Sequence, residues 1–223
     1  MKAAIVALLL AYIPSAGSLL RRTASRAGEG GRSREVTLSG QLQVDNGRPQ
    51  PASLVLRFPL GCRFEGALVA SVRGNADKPM DTEDGAAGPA RDLLKLACPL
   101  IAYRGLSTND ADRVLRASAL AAGAEVTAGN GITRLGDRAV WVLGAGPHEP
   151  ARPQLWLYKD TSAPARLLVQ NGDDLRLLQY GNPAAAEWFP RVIELWRAGQ
   201  LAARFEVFET RGFRGVDEGD DAE

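Results

Sequence analysis

Apolar and polar residues alternate along EVTLSGQLQV, with Val36, Leu38, Leu42 and Val44 on one side of an extended chain and Thr37, Ser39, Gln41 and Gln43 on the other. A period of two marks a half-buried strand over Glu35–Val44. Asp45-Asn46-Gly47-Arg48-Pro49 turns the chain, and 52–58 returns with Leu54, Leu56 and Phe58 on one face. Residues 64–73 read as a further strand. Ahead of these, 18–27 suits a short helix, with Leu19, Leu20, Thr23, Ala24 and Ala27 on one face and Arg21, Arg22 and Arg26 largely opposite. Gly28-Glu29-Gly30-Gly31 stops it.

The middle of the chain has another rhythm. Residues 75–88 are polar with Gly and Pro and read as a loop. In PARDLLKLACPLIAYRGL, Leu93, Leu94, Leu96, Ala97, Leu100 and Ile101 crowd a short helix that Pro99 must kink or end. A second helix is expected over 109–122, with Ser107 or Thr108 as N-cap, Asp110 and Asp112 in the first turn, and Gly123 as the stop. Strand patterns then resume. Gly136-Asp137 joins 132–135 to 138–143, Asp160-Thr161 joins 154–159 to 165–170, Asn171-Gly172-Asp173 leads to 175–180, and Ala198-Gly199 joins 192–196 to 201–208. Successive hairpins make an antiparallel meander, interrupted by one helical insert. About nine to eleven strands exceed what a flat sheet carries without curling or splitting, so strong curvature with partial closure is expected.

Composition sharpens this picture. With 223 residues, 45% of them apolar, the chain can bury the core of one large domain. Its 27 basic and 26 acidic residues are interspersed, which argues against a nucleic-acid face. Met1-Lys2, an apolar run over 3–13, Pro14 and the small residues Ser15-Ala16-Gly17-Ser18 read as a cleavable secretory signal over 1–17. The run is short of the ~20 residues of a membrane-spanning helix, and the alternative is an uncleaved anchor. A single domain over 18–214 and a disordered acidic tail over 215–223 would follow. In an oxidising compartment the only two cysteines, Cys62 and Cys98, favour a disulfide, the alternative being two buried thiols.

Chemistry is hard to find. The single histidine, His148, lies in the Gly/Pro connection GAGPHEP, and the cysteines lack ligand spacing, so neither a metal nor another cofactor is expected. No Gly-x-Ser-x-Gly elbow exists, and neither 28–31 nor Gly129-Asn130-Gly131 fits a phosphate-binding loop. Glu187, Glu194 and Glu206 supply carboxylates without a motif, so no catalytic residue is assigned and no enzyme is expected. The alternative to chemistry is volume. A curled sheet must cover its apolar face, and few, interrupted helices would leave either an apolar cavity suited to acyl chains or a dry, filled core.

Three stretches, REVTLSGQLQV, PQLWLYKDTSAPARLL and WFPRVIELWRAGQLAARFEV, resemble the LolA/LolB-like superfamily of bacterial periplasmic lipoprotein carriers. The residues that carry the resemblance are Trp156, Lys159, Asp160, Pro164 and Arg166, then Pro190, Arg191, Ile193, Glu194 and Gly199. It implies an α+β fold in which a strongly curved antiparallel sheet forms a half-open, unclosed β-barrel under a helical lid. It also implies a periplasmic, monomeric carrier in outer-membrane lipoprotein trafficking, with lipid or lipoprotein acyl chains as cargo and inner- and outer-membrane transport components as partners. On that reading Leu38, Leu42, Leu54, Leu56, Leu155, Leu157 and Phe205 face the cavity from strands, Leu94 and Ile101 face it from the lid, and Arg57 is the candidate for a lid-locking arginine. The alternative role is an envelope sensor or protein-interaction module on the same fold.

Overall fold

The computed structural model describes residues 14–26, 35–75, 78–85, 87–127, 130–149, 151–180 and 189–212. Residues 1–13 of the expected signal segment and the expected tail over 215–223 lie outside them. Helix α1, Ala16–Ser25, opens earlier than its apolar pattern suggests, because the Ser15 hydroxyl accepts from the Ser18 N–H at 3.2 Å and caps it. The signal boundary expected after Gly17 therefore falls in the first turn of a folded helix.

Five strands follow: β1 Glu35–Val44, β2 Gln50–Arg57, β3 Gly61–Gly66, β4 Ala70–Asn75 and β5 Lys78–Gly85. Two expectations need correction. Residues 64–73 do not form one strand, since the chain turns after Gly66, at φ 136, and returns as β4. Nor are 75–88 a loop. They contain β5, which pairs with β4 alone at the rim of the sheet and so needs no apolar alternation.

The insert consists of α2 (Pro89–Ile101), a 3-10 turn over Ala102–Gly105, and α3 (Thr108–Ala121) capped by Ser107. Pro99 sits in the last turn of α2, and the helix tightens into the 3-10 turn just beyond it instead of kinking. Seven strands complete the fold: β6 Asn130–Leu135, β7 Arg138–Leu143, β8 Gln154–Tyr158, β9 Pro164–Leu168, β10 Asp174–Tyr180, β11 Pro190–Arg197 and β12 Gln200–Arg211.

All twelve strands belong to one antiparallel sheet, ordered β5-β4-β3-β2-β1-β12-β11-β10-β9-β8-β7-β6. The first meander winds out from β1 to one rim, and the second winds back from the other rim to β12, beside β1. β5 and β6 are therefore opposite ends of an open sheet, and the insert that joins them must cross from rim to rim. Its path takes α2 over the concave face, against β3, β4 and β5 and also against β9 to β12.

Inward-pointing side chains line up in rows across the sheet. One runs Val36, Leu56, Cys62, Val72, and another runs Leu42, Phe205, Ile193, Leu177. Curvature follows from a single contact. Phe64 on β3 and Phe205 on β12 are three strand spacings apart, about 14 Å on a flat sheet. Their ring centroids are 5.1 Å apart, so the concave face has folded toward itself.

Candidate functional site

Leu38, Leu42, Leu54, Leu56, Leu94, Ile101, Leu155, Leu157 and Phe205 all lie in one contiguous apolar cluster, and none is more than 4% exposed. Alternation along each strand turns them inward, and the helices cover them. Phe64, which the pattern placed in a strand without assigning it a role, fills the centre beside Phe205. Among the hollows lined by described residues, one of about 200 Å³ borders this cluster at Cys62 and Val72 beside Phe58, and one of about 120 Å³ borders it at Leu42, Val44 and Ala52 beside the β1–β2 turn. Small-ligand sites run to about 300 Å³ or more.

The cover is fastened unequally. Cys62 on β3 and Cys98 on α2 form a disulfide, with Cα atoms 5.9 Å apart, which ties the middle of the insert covalently to the sheet. The start of α2 is held by Arg197 of β11, which bonds Asp92 at 3.0 Å and Asp173 at 3.2 Å. Partial burial alone would lower the Arg197 pKa, but these two carboxylates outweigh it and raise it. Among the described residues, α1 shows no such anchor. It leans on the β8–β9 turn through Thr23 Oγ1 to the Ser162 carbonyl and Arg26 to the Thr161 carbonyl, both 2.8 Å, and on α3 through Arg116 to the Gly17 carbonyl at 3.4 Å.

Arg57 does not sit between the lid helices. Strand alternation turns it away from Leu54 and Leu56, and its guanidinium is 2.8 Å from Glu35 on the neighbouring strand, with its side chain 61% exposed. Besides Arg116, a buried arginine that bridges pieces of the cover is Arg104, in the 3-10 turn. It is 5% exposed and donates to the Arg26 carbonyl at the end of α1 at 3.4 Å. Nothing in the apolar pattern marked it, because an arginine at a helix end ordinarily reads as solvent-facing.

Arg104 also belongs to a group of aromatic hydroxyls. Its guanidinium is 5.4 Å from the Tyr103 ring centroid, and Tyr180, at the end of β10, lies close enough to both to feel them electrostatically. Tyr180 packs against the main core and also against a smaller apolar cluster around Val140, Val142, Trp156 and Tyr158. Burial pushes the Tyr180 hydroxyl well above the ordinary tyrosine range, and Tyr158, edge-on to it at 5.7 Å, is raised for the same reason.

His148 is exposed in the connection between β7 and β8. Among the described residues no group of three or more His, Cys, Asp and Glu could hold a metal ion, and no helix is long and apolar enough to cross a membrane.

No protein-family model and no curated protein matches the sequence. Solved structures do match in shape. A domain described for outer membrane lipoprotein sorting, from Vibrio parahaemolyticus, superposes with a TM-score of 0.52 at 11% identity, over 92% of this chain and 96% of that one. This chain shares the fold of that domain. A LolA superfamily protein from Nitrosomonas europaea matches with a TM-score of 0.42 at 11% identity, over 91% and 94% of the two chains. For a DUF1329 family protein from Desulfovibrio piger the values are 0.48, 12%, 91% and 95%.

Within this fold, Trp156, Arg166 and Glu194 build the wall. Arg166 lies 4.6 Å from the Trp156 ring centroid and pairs bidentately with Asp174 at 2.6 and 2.8 Å. Arg176 shares Asp174 and lies 4.8 Å from the Trp196 ring, whose N–H donates to Glu194, and Glu194 in turn takes Arg204 at 3.0 Å. The ladder crosses β8 to β12 on the face turned away from the helices. It stiffens the outer surface while Leu155, Leu157, Leu167 and Ile193 of the same strands fill the inside.

Proposed function

We propose that this protein is a non-enzymatic periplasmic carrier that takes the acyl chains of a lipid or lipoprotein between the concave face of its sheet and the helices over it. The observation that carries the reading is the joining of an unbroken apolar concave face to a cover bound covalently at one point only. Each methylene transferred from water to such an interior is worth about 0.8 kcal/mol, so the interior needs no polar recognition to hold a chain. The secretory pattern at the N-terminus, the disulfide and the lipoprotein-sorting likeness of the fold all agree with an extracytoplasmic role.

The fastenings imply where the cover opens. α2 is held by a covalent bond and an ion-paired end, whereas α1 meets the sheet through hydrogen bonds to two carbonyls of the β8–β9 turn and meets the insert through Arg104 and Arg116. The entrance is therefore between α1 and that turn. Cysteines introduced at Arg26 and Thr161 and joined by a short bis-maleimide test this without touching the native bridge. The untethered protein should enhance the fluorescence of an environment-sensitive fatty-acid probe, and the tethered one should take it up at least about tenfold more slowly. Equal uptake would rule out this entrance. An absence of uptake in both would overturn the carrier.

A further inference from the structure

Charge is balanced over much of this surface. Arginines there stand beside carboxylates, as Arg57 does with Glu35, Arg138 with Asp160, Arg152 with Glu149 and Arg211 with Glu209. α1 departs from that rule. Its sequence, AGSLLRRTAS, holds no acidic residue, Arg21 and Arg22 are exposed on it, and Arg26 follows at its end. Arg22 and Arg26 are four residues apart and so share a side of the helix. Arg26 donates to the Thr161 carbonyl of the β8–β9 turn, a neutral acceptor that leaves its charge uncancelled. Lys159, exposed at the start of that turn, lies 5.8 Å from the Trp141 ring centroid. None of these four cations pairs with a carboxylate among the described residues. Asp160 beside them is taken by both of its oxygens by Arg138 at 2.8 Å, and Arg134 and Asp137 near the β6–β7 turn offset each other. In a chain whose formal charge is only +1, this is a local excess.

We propose that α1 and the β8–β9 turn form a docking face for an anionic phospholipid bilayer. The inference rests on the carrier reading and names the surface that its entrance meets. Arg21 to Arg26 extend over about 7 Å of helix, and Lys159 adds a fourth charge from the turn. Cations spread in this way suit a plane of headgroup phosphates better than one small anion. Four is the lower end of the basic clusters that hold a protein to anionic lipid. The face coincides with the entrance between α1 and the turn, so a docked protein holds that opening against the headgroups, and an acyl chain need not cross water. Docking would also act on the closure. A phosphate oxygen forms a charge-assisted bond with a guanidinium, stronger than the bond Arg26 makes with the Thr161 carbonyl, and so competes with one of the two contacts between α1 and the turn.

Co-sedimentation with vesicles of phosphatidylcholine, alone or with about 30% phosphatidylglycerol, tests the assignment at low salt, where surface charges act at full range. Each cation at the surface contributes about fivefold, so wild-type protein should prefer the anionic vesicles by about a hundredfold or more. Arg21→Gln with Arg22→Gln should lose about thirtyfold of that preference, leave binding to neutral vesicles unchanged, and still take up a dissolved fatty-acid probe as the wild type does. Arg48→Gln with Arg152→Gln removes two charges from turns at the opposite ends of the strands and should keep the preference. Molar salt should abolish it. Equal binding to the two kinds of vesicle, or an equal loss in both double variants, would overturn the docking face and leave the carrier standing. A preference for anionic vesicles in a protein that takes up no dissolved probe would overturn the carrier and leave the docking face.

Discussion

At the scale of single residues, the fold depends on positions where a side chain would have nowhere to go. Gly40 sits at the irregularity between β1 and β12, and a Cβ there would be 1.9 Å from the Glu206 carbonyl oxygen. The obstacle is backbone in a paired strand, which cannot yield as a side-chain tip could. Gly40→Ala should therefore destabilise the protein by about 1–3 kcal/mol, the range for overpacking, as read by urea denaturation. Asp174 is 7% exposed and pairs with both Arg166 and Arg176, so Asp174→Ala strands two arginines and should cost about 3 kcal/mol in the same measurement. The tyrosines make a pH prediction. The folded protein holds the protons of Tyr158 and Tyr180 above the ordinary value of 10.0, because burial opposes the phenolates. The unfolded chain gives these protons up first, so the stability they contribute is intact below about pH 10 and is lost as pH rises through that range. Phenolate absorbance should show Tyr158 and Tyr180 titrating late, in step with unfolding, and Tyr158→Phe and Tyr180→Phe should each reduce that late step.

At the scale of elements, the division between legible and hidden follows burial. Strands packed on one face announce themselves, as β1 does with Val36, Leu38, Leu42 and Val44, and so does the α3 start at Ser107, whose cap is a local hydrogen bond. β5 was hidden because a rim strand paired on one side is not required to alternate. The turn splitting β3 from β4 was hidden because Phe64 and Ala70 share a face, as though the strand between them were continuous. For the candidate site the inward residues could be read from alternation alone. Arg104 could not, since its burial depends on where a 3-10 turn meets α1, a contact between residues 78 apart. The disulfide carries the element-scale prediction. It closes a loop with a sequence separation of 36, for which the chain-entropy model gives about 4 kcal/mol. A Cys62→Ser, Cys98→Ser protein should lose about that much, and its α2 amides should exchange faster than those of β1. Unchanged exchange in α2 would show that the ion pairs of Arg197 suffice to hold the helix.

At the scale of the whole molecule, the order of the strands explains the architecture. Two meanders meet at β1 and β12, their far rims are β5 and β6, and a chain joining those rims has to span the concave face. The lid is thus a consequence of topology, and the ladder of Trp156, Arg166, Asp174, Arg176, Trp196 and Glu194 braces the wall on the opposite face. What the interior holds in the cell is the central claim. Protein purified from a bacterial periplasm under non-denaturing conditions, extracted with organic solvent and read by mass spectrometry, tests it most directly. The account predicts acyl-chain species in near-stoichiometric amount. An extract free of lipid, from protein that also fails to bind a fatty-acid probe, would contradict it and leave a filled, structural core.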